Sequence, residues 1–267
     1  MSDEVLDRVA DWIAAARHVS VLTGAGISTD SGIPDFRGPQ GVWTKDPAAE
    51  RKATIDAWRE DSELRREAWA FRLANRGAGF APNASHRALV DLEARDRLDV
   101  LVTQNVDGLH LDAGTERERL IEVHGSYRDV VCLACGHRQP TEAVLDRVAA
   151  GEVDPHCTVR RPPDGEPCGG LLKSGTISFG QSLVEEDLRS AQAAAERSEV
   201  FLALGTSLAV YPVAYLPLIA KQTGARLVIV NGEPTEMDPI ADAVLLAGLG
   251  DVLPDLVERV TTRLGTN

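Results

Sequence analysis

Short apolar runs recur along the chain and are separated by amphipathic segments. The runs at 19–22, 100–102, 200–204 and 227–230 are dominated by Val, Leu, Ile and Phe. Such runs lack regular polar alternation and are typical of strands that are buried on both faces of a parallel sheet. We therefore predict that these four segments are strands of one parallel sheet.

Helical periodicity fills much of the sequence between these runs. The first segment places its apolar residues on one helical face: Val5, Leu6, Val9, Trp12, Ile13 and Ala16. Further helices are predicted at 60–76, 84–94, 185–198 and 210–222, and Asn83 is a candidate N-cap for the second of them. Helices that alternate with buried strands indicate an α/β fold with both faces of the sheet covered.

A run of closely spaced glycines follows the first predicted strand. Residues 23–28 read Thr-Gly-Ala-Gly-Ile-Ser, and 32–38 read Gly-Ile-Pro-Asp-Phe-Arg-Gly. Glycines at the end of a strand let the backbone approach a phosphate, because no side chain occupies the position of the anion. Asp35, Phe36 and Arg37 add an acid, an aromatic face and a cation, which indicates a reactive site rather than a simple turn.

Polar side chains also follow the second predicted strand. Gln104, Asn105 and Asp107 come after 100–102. Ligands of parallel sheets collect at the carboxyl ends of the strands, so these residues should face the same crevice as the glycine run. Amide and carboxylate groups suit a carboxamide or the hydroxyl groups of a ligand. His124 is a candidate general base, although a core histidine with satisfied hydrogen bonds is the alternative for this residue taken alone.

Two further strand ends carry ligand-binding chemistry. The segment 205–207, Gly-Thr-Ser, offers N–H groups and hydroxyls to a phosphate, and 231–233, Asn-Gly-Glu, offers polar side chains to ribose hydroxyls. Each segment alone could be a turn with a helix cap. Together with the other clusters they indicate a dinucleotide whose cleavable group lies near Asp35, Asn105 and His124.

All the cysteines lie within one stretch of the chain: Cys132, Cys135, Cys157 and Cys168. The first pair forms a tight knuckle followed by Gly136, and we interpret the four thiolates as ligands of one structural zinc ion. The second pair is more widely spaced, and His137 or His156 could replace one ligand. Disulfides are the competing interpretation, which a reducing compartment would disfavour.

Composition narrows the choice of partners. The chain has 267 residues and a formal charge of −13. This negative charge argues against nucleic acid as the main ligand and permits basic peptides as partners. The alternative is that the acidic surface only keeps the protein soluble. The acidic start, Met1-Ser2-Asp3-Glu4, is unlike a signal peptide, and no apolar run is long enough to cross a membrane. We therefore predict a cytoplasmic protein without a membrane partner.

The motifs taken together resemble the sirtuins, the NAD-dependent protein lysine deacylases. The matching stretches are 24–28, 32–38, 103–110, His124-Gly125, the four cysteines, Phe179-Gly180, 205–207 and 231–233. The resemblance implies a Rossmann-like parallel-sheet domain formed by 1–125 and 171–267, with a helical cofactor-loop module inserted at about 39–80. A small zinc-ribbon domain would occupy 126–170.

The resemblance also implies roles for the matching residues. Segments 24–26 and 205–207 would surround the pyrophosphate of NAD, and 231–233 would meet its adenosine side. Ile33, Asn105 and Asp107 would hold the nicotinamide carboxamide, Gln104 would contact the nicotinamide ribose, and Phe36 would cover that ribose. The whole implied NAD-binding set is Gly24, Ala25, Gly26, Ile27, Ser28, Ile33, Asp35, Phe36, Arg37, Gln104, Asn105, Val106, Asp107, Gly205, Thr206, Ser207, Asn231, Gly232 and Glu233.

The implied reaction removes an acyl group from a protein lysine. His124 and Asn105 would be the catalytic residues, with His124 accepting a proton from the ribose hydroxyl, and the products would be free lysine, nicotinamide and O-acyl-ADP-ribose. The acylated peptide would add as a strand between two groove segments: Phe179, Gly180 and Gln181 on one side, and Leu208, Ala209 and Val210 on the other. A mono-ADP-ribosyltransferase and a non-catalytic NAD sensor are the alternatives.

Two departures from the commonest family pattern concern the substrate. Gln181 stands where many sirtuins have Glu. Selectivity for negatively charged acyl groups in the family rests on a Tyr-x-x-Arg arrangement, which the stretch 71–76 lacks. We therefore expect acetyl or longer neutral acyl groups to be preferred.

Overall fold

The first predicted strand lies at the centre of a six-stranded parallel sheet. The structure, a computed structural model, describes residues 3–77, 79–160 and 165–265. Within them the strands are β1 (Val19–Thr23), β2 (Val100–Thr103), β3 (Leu120–Glu122), β4 (Asp129–Cys132), β5 (Arg138–Pro140), β6 (Leu172–Ser174), β7 (Val200–Leu204), β8 (Arg226–Asn231) and β9 (Ala243–Leu246).

The α-helices precede, connect and follow these strands. They are α1 (Asp3–Ala15), α2 (Val42–Lys45), α3 (Pro47–Lys52), α4 (Ile55–Glu60), α5 (Ser62–Ala74), α6 (Ala84–Glu93), α7 (Leu109–Ala113), α8 (Thr141–Ala149), α9 (Glu185–Arg197), α10 (Leu216–Gln222) and α11 (Leu249–Gly265). A 3₁₀ helix, Ala25–Ser31, follows β1 directly.

The strand order of the large sheet is β3-β2-β1-β7-β8-β9. Because β1 pairs with β2 on one side and with β7 on the other, the order reverses beside β1. A crevice opens at such a switch point, outside the carboxyl ends of the strands. The predicted parallel sheet is confirmed, and its register sets Thr23 opposite Thr103 and Leu204.

Helices cover both faces of this sheet, which explains why its strands are apolar throughout. On one face α1, α6 and α11 bury side chains such as Ile13, Leu89 and Leu253 against the strands. On the other face α9 and α10 bury Ala191 and Leu216. Burial of each large aliphatic side chain contributes about 1.5–3 kcal/mol, so the two layers fix the sheet that carries the strand ends.

A second, three-stranded antiparallel sheet has the order β5-β4-β6. We name this sheet with α8 and the cysteines the cysteine module, and we name α2–α5 the helical module. Trp58 and Trp69 of the helical module pack in one cluster with Val130 and Leu172 of the cysteine module. Trp58 also donates an Nε1–H hydrogen bond to the Leu172 carbonyl at 3.2 Å. The two modules therefore form a single small lobe.

Buried and exposed ion pairs reinforce the contact between these modules. Arg65 on α5 donates to both carboxylate oxygens of Asp154, and its NH1 donates to the Trp58 carbonyl at 2.9 Å. Arg76 pairs with Glu142 and Asp146 of α8 across a more exposed surface. Because Arg65 and Asp154 are largely buried, removal of either partner would leave an uncompensated charge in the small lobe.

Some predicted boundaries differ from the structure. The helix predicted at 210–222 is shorter in the structure. Pro212 disfavours a helical conformation for the residue before it, Val213–Tyr215 form a 3₁₀ helix, and the α-helix begins only at Leu216. Strand β6 (Leu172–Ser174) pairs with β4, so the small sheet continues beyond residue 170. The domain boundaries stay a prediction, and we propose that the cysteine module ends after Ser174.

Candidate functional site

A cleft of about 2160 Å³ lies at the carboxyl ends of the central strands and extends along the small lobe. The predicted residues that line it are Gly24, Ala25, Gly26, Ser28, Ile33, Asp35, Phe36, Arg37, Gln104, Asn105, Val106, Asp107, His124, Phe179, Gly180, Gln181, Gly205, Thr206, Ser207, Val210, Asn231, Gly232 and Glu233. Ile27 and Leu208 instead bury their side chains in the two core layers, and Ala209 is not among the lining residues. The four strand ends therefore meet in one crevice.

Two glycine loops touch backbone to backbone at the floor of this cleft. The Gly26 N–H donates to the Gly205 carbonyl at 2.9 Å. A Cβ atom on Gly24 or Gly26 would lie 2.8 Å from Gly205 atoms, and one on Gly205 would lie 2.6 Å from the Ile27 nitrogen. Gly205 also has a φ of +59°, a left-handed conformation that glycine adopts most readily. The close contact of the loops therefore requires glycine on both sides.

We expect Gly205→Ala to destabilise the fold. The left-handed backbone alone costs a non-glycine residue about 1–3 kcal/mol, and the contact with Ile27 adds to that cost. Urea unfolding of the variant and the wild type measures the difference in the free energy of unfolding. Gly232→Ala is the matched control, because its Cβ atom would meet nothing within 4 Å, and an equal loss in both variants would contradict the prediction.

A chain of hydrogen bonds orients the amide of Asn105. Its Nδ2 donates to the Gly24 carbonyl at 3.2 Å and to Ser28 Oγ at 3.1 Å, and Ser28 Oγ donates to Asp107 Oδ2 at 2.8 Å. The other Asp107 oxygen accepts from the Leu109 N–H at 2.9 Å. Because both Asn105 amide hydrogens are engaged, the group that Asn105 offers to a ligand is its oxygen.

His124 has a defined tautomer and a neutral ring. Its Nδ1 lies 3.0 Å from the Gln104 carbonyl, which can only accept, so Nδ1 carries the hydrogen and Nε2 the free lone pair. Burial lowers the pKa of His124 below its ordinary value, and the hydrogen bond to Gln104 only partly opposes that shift. Gln104 in turn donates from Nε2 to Thr206 Oγ1 at 2.8 Å, which links the ends of β2 and β7. The arrangement suits Nε2 of His124 to accept a proton.

An aromatic row lines part of the cleft. The ring of Trp43 lies between Phe36, at 4.6 Å, and Phe179, at 5.5 Å. The Arg37 guanidinium covers the same indole at 4.5 Å and donates to Glu50 at 3.2 Å. Phe36 remains 43% exposed and lines the cleft, so its face is available to a ligand.

The backbone of Phe179, in one predicted groove segment, is already hydrogen-bonded to another segment of the chain. The Phe179 N–H donates to the Ala53 carbonyl at 3.1 Å, and its carbonyl accepts from the Ile55 N–H at 2.9 Å. Gln181 folds back, so that its Oε1 accepts from the Ser178 N–H at 2.8 Å. This contact uses only an acceptor oxygen, which Glu would also supply, so it does not explain the departure from Glu at 181.

The four cysteines converge on a single point. Their Sγ atoms lie within 4.8 Å of one another, with 3.7 Å between Cys132 and Cys168 and 3.8 Å between Cys135 and Cys157. These separations are far longer than a disulfide bond, and a tetrahedral zinc with Zn–S bonds of about 2.3 Å separates its ligands by about 3.8 Å. The donor set therefore fits one closed structural zinc site, and the ligand group in the described residues contains no histidine.

Comparison with known proteins agrees with this geometry. A sequence profile of the Sir2 family matches residues 24–212. The chain is 46% identical to "NAD-dependent protein deacetylase 2" of Streptomyces coelicolor over 239 residues, which covers 90% of this chain and 96% of that protein. The chain belongs to the Sir2 family.

Other Sir2 proteins show the same relationship over nearly the whole chain. "NAD-dependent protein deacylase 2" of Pyrobaculum aerophilum is 42% identical, and the match covers 97% of each protein. The crystal structure of a Sir2 homologue–NAD complex is 35% identical with a TM-score of 0.81, and the match covers 99% of this chain and 96% of that one. A Sir2 variant with deacetylated p53 peptide and 3'-O-acetyl ADP-ribose is 32% identical with a TM-score of 0.81, and the match covers 97% of this chain and 98% of that one. These two structures therefore share the Sir2 fold with nearly the whole of this chain.

Sequence reasoning missed a buried histidine pair beneath this Sir2 cleft. His110 Nε2 lies 3.0 Å from Thr23 Oγ1, which also bonds Thr103 Oγ1 at 2.8 Å. The ring of His86 lies 4.9 Å from that of His110, and burial together with His86 lowers the pKa of His110 to about 3. Burial also lowers the pKa of His86 below its ordinary value. Both shifts favour neutral rings, and the pair supports the strand ends that carry the predicted residues.

Asn83 caps α6 as predicted, and its side chain also contacts the 3₁₀ helix that follows β1 in this Sir2 protein. Its Oδ1 accepts from the Ser85 N–H at 2.9 Å and from the His86 N–H at 3.4 Å, which caps α6. Its Nδ2 donates to the Ile27 carbonyl at 2.7 Å and to Ser31 Oγ at 3.0 Å. One amide thus joins the start of a helix to the 3₁₀ helix behind the glycine loop.

Among the described helices of this Sir2 protein, none combines the length and apolar character needed to span a bilayer.

Proposed function

We propose that this Sir2 protein removes acetyl and related acyl groups from protein lysines in an NAD-dependent reaction. The observation that carries the proposal is the convergence of Asn105, His124 and the two glycine loops in one cleft. Relatives at 42–46% identity carry the names NAD-dependent protein deacetylase or deacylase. These names favour the deacylase over the ADP-ribosyltransferase. NAD, when bound, supplies the ADP-ribosyl group that accepts the acyl group.

The pyrophosphate of NAD would lie against the glycine loops. Glycines at 24, 26 and 205 leave no side chain over the loop backbone, so that an anion can approach it closely. Thr206, Ser207 and the segment 231–233 line the same cleft. We infer that the adenosine side of NAD lies at 231–233.

The nicotinamide end would meet Asn105 and Asp107. A carboxamide presents N–H donors, and Asn105 offers a fixed oxygen because Ser28 and Gly24 engage its amide hydrogens. The Asp107 carboxylate is held by Ser28, and it can accept a further hydrogen bond or hold Asn105 through that serine. The cationic sugar that develops when nicotinamide leaves would also be stabilised by these dipoles.

His124 would act as the general base. Its Nε2 carries the lone pair, because Nδ1–H is directed to the Gln104 carbonyl. A base must be neutral to accept a proton, and burial favours the neutral ring. Phe36 would cover the ribose face opposite this base, which excludes water from the reacting carbon.

The pKa shift of His124 predicts a pH profile. Activity needs the neutral ring, so it is present above the folded-state pKa and lost as the pH falls through it. Because that pKa lies below the ordinary value of 6.5, we expect the acid limb of kcat/KM to have its midpoint below 6.5 and activity to be level near neutral pH. Initial rates between pH 5 and 8 with an acetyl-lysine peptide measure it. A midpoint above 6.5 would contradict the assignment.

The substrate would be an acylated lysine within a protein or peptide. Phe179 and Val210 line the cleft. A peptide that binds between them through main-chain hydrogen bonds could have many different sequences. Acetyl is the acyl group that the names of the relatives support. A preference for neutral over acidic acyl groups, and a cytoplasmic location, stay predictions from the sequence.

Mass spectrometry of the products tests the proposed function. Incubation with NAD and an acetyl-lysine peptide should give nicotinamide, unmodified peptide and an O-acetyl ester of ADP-ribose. With NAD labelled in its adenosine half, the label should leave as this small ester. Label that stays on protein, with the acetyl group still on the peptide, would instead identify the ADP-ribosyltransferase.

A further inference from the structure

Trp43 lies between the two parts of the cleft that the proposed reaction uses. On one side its ring is 4.6 Å from that of Phe36, the residue predicted to cover the ribose of NAD. On the other side it is 5.5 Å from the ring of Phe179, in the predicted peptide groove. Trp43 lines the cleft, yet it belongs to neither the predicted NAD-binding set nor the predicted groove. Its indole is therefore a direct contact between the two binding regions.

The backbone holds Trp43 close to Phe36. The Trp43 N–H donates to the Phe36 carbonyl at 3.0 Å, and the Val42 N–H donates to the Asp35 carbonyl at 2.9 Å. A Cβ atom on Gly41 would lie 2.5 Å from the Phe36 carbonyl, so the turn can pass this close only because residue 41 has no side chain. Trp43 and Phe36 therefore belong to one tightly folded loop, and their rings are in contact within it.

The groove segment is joined to the same helical module through its backbone. Phe179 donates its N–H to the Ala53 carbonyl at 3.1 Å and accepts from the Ile55 N–H at 2.9 Å, which makes a parallel bridge with Thr54. Because both backbone groups of Phe179 point towards 53–55, a peptide strand would add at the opposite edge of the segment. A peptide bound there would restrain Phe179 together with the helical module.

A cation and an ion pair restrain the indole as well. The Arg37 guanidinium lies 4.5 Å from the centre of the Trp43 ring and donates to Glu50 at 3.2 Å. An indole attracts a cation over its face, and Glu50 belongs to α3, the helix that leads into 53–55. Side-chain contacts of Trp43 therefore connect the Phe36 loop to the helical module in addition to the ring contact with the groove segment.

The two outer rings of the aromatic row are only partly buried. Phe36 is 43% exposed and Phe179 is 37% exposed, so the protein core restrains neither ring fully. Among the described residues, Trp43 is the aromatic side chain in contact with both of them. A ligand that restrains one outer ring therefore favours one position of Trp43, and Trp43 in that position restrains the other ring. A ligand in either region should then bind more tightly when the other region is occupied.

We propose that Trp43 is a positioning residue that couples the peptide groove to the cofactor region. A peptide in the groove restrains Phe179, Trp43 packs against that ring, and Trp43 in turn holds Phe36 over the nicotinamide ribose. The inference rests on the proposed function, because the two ligands are those of the proposed reaction. Loss of the indole should change the coupling between the two ligands more than it changes the affinity for either ligand alone.

Calorimetry with ADP-ribose and an acetyl-lysine peptide tests this coupling without turnover, because ADP-ribose has both riboses and the pyrophosphate but no nicotinamide to leave. We expect a saturating peptide concentration to tighten the binding of ADP-ribose to the wild type by at least about fivefold. ADP-ribose should tighten peptide binding by the same factor, since the coupling of two binding equilibria is reciprocal.

Two substitutions of Trp43 separate its ring from its volume. Trp43→Leu keeps an apolar side chain without a ring, and both coupling factors should fall below about twofold. Trp43→Phe keeps an aromatic ring and should retain most of the coupling. The coupling factor is a ratio of affinities measured on one protein, so a moderate loss of stability does not change it.

Trp12→Leu is the matched control. Trp12 is partly buried against the core beneath α1 and is not among the residues that line the cleft, so this variant should keep the coupling of the wild type. If the peptide leaves the ADP-ribose affinity of the wild type unchanged, the inference is overturned. It is also overturned if Trp43→Leu couples the two ligands as strongly as the wild type, or if Trp12→Leu loses the coupling equally.

Deacetylation of the same peptide by the wild type distinguishes these results from a failure of the proposed function. Formation of the deacetylation products without coupling would reject the role of Trp43 alone. Coupling that depends on Trp43, without formation of those products, would support the role of Trp43 and reject the proposed reaction.

Discussion

We expect His124→Ala to lower kcat/KM for deacetylation by at least about a hundredfold, since a positioned general base contributes about 10²–10⁴-fold. Alanine removes the Nε2 lone pair that His124 directs away from the Gln104 carbonyl. NAD should still bind, because the glycine loops and Asn105 keep their own contacts. Product analysis should show no O-acetyl ester, while calorimetry with NAD should give an affinity within a few-fold of the wild type.

A matched control separates catalysis from the general loss of an imidazole. His18 is about half exposed and contacts Asp99 at 3.6 Å, outside the cleft-lining residues. His18→Ala should therefore retain wild-type rates. An active His124→Ala variant, with ester formation reduced less than about fivefold, would show that another group accepts the proton.

Cys132→Ser should release the zinc ion and unfold the cysteine module. Cys132 is 1% exposed at the end of β4, and its sulfur lies 3.7 Å from that of Cys168. Structural zinc sites in small domains bind their metal with about 10–16 kcal/mol, so this module depends on it for folding. Metal analysis should fall from one zinc per chain to nearly none. Because Trp58 and Trp69 pack on the same cluster, tryptophan fluorescence should report loosening of the helical module as well.

His137→Ala is the control for metal loss. His137 follows the first cysteine pair, yet the grouped ligand atoms of the described residues come from cysteines. This variant should keep one zinc ion and its activity. Equal zinc loss in both variants would mean that histidine belongs to the ligand set. Retention of zinc and fluorescence in Cys132→Ser would refute the dependence of the small lobe on this ligand.

The sequence was most informative where a pattern is local. Unbroken apolar runs predicted the central strands, Asn83 predicted a cap, and polar residues at strand ends predicted a shared crevice, because parallel strands all end at one edge. The cysteine cluster was also predictable, since few arrangements satisfy four closely grouped thiolates. Strand β3 has three residues, too few to stand out from its surroundings, whereas β9 is as long as the predicted β2 and was not recognised.

Contacts between distant segments were not predictable from one chain. Nothing in the periodicity of 60–76 indicates that Trp69 packs on Leu172, or that Arg72 faces the cleft rather than solvent. The environment of Arg72 comes from β6 and α4, which the stretch 71–76 does not reveal by itself. Likewise the stack of Trp43 between Phe36 and Phe179 depends on segments that are far apart in sequence.

The divided amide of Asn83 has a consequence for protein engineering. Its oxygen caps helix α6, and its nitrogen donates a hydrogen bond to the turn that follows β1. The helix start and the turn therefore cannot be moved to another protein separately. A chimera that imports the glycine loop from another scaffold must also import an asparagine at the start of α6. Aspartate would preserve the helical cap and still leave the grafted loop without its anchor.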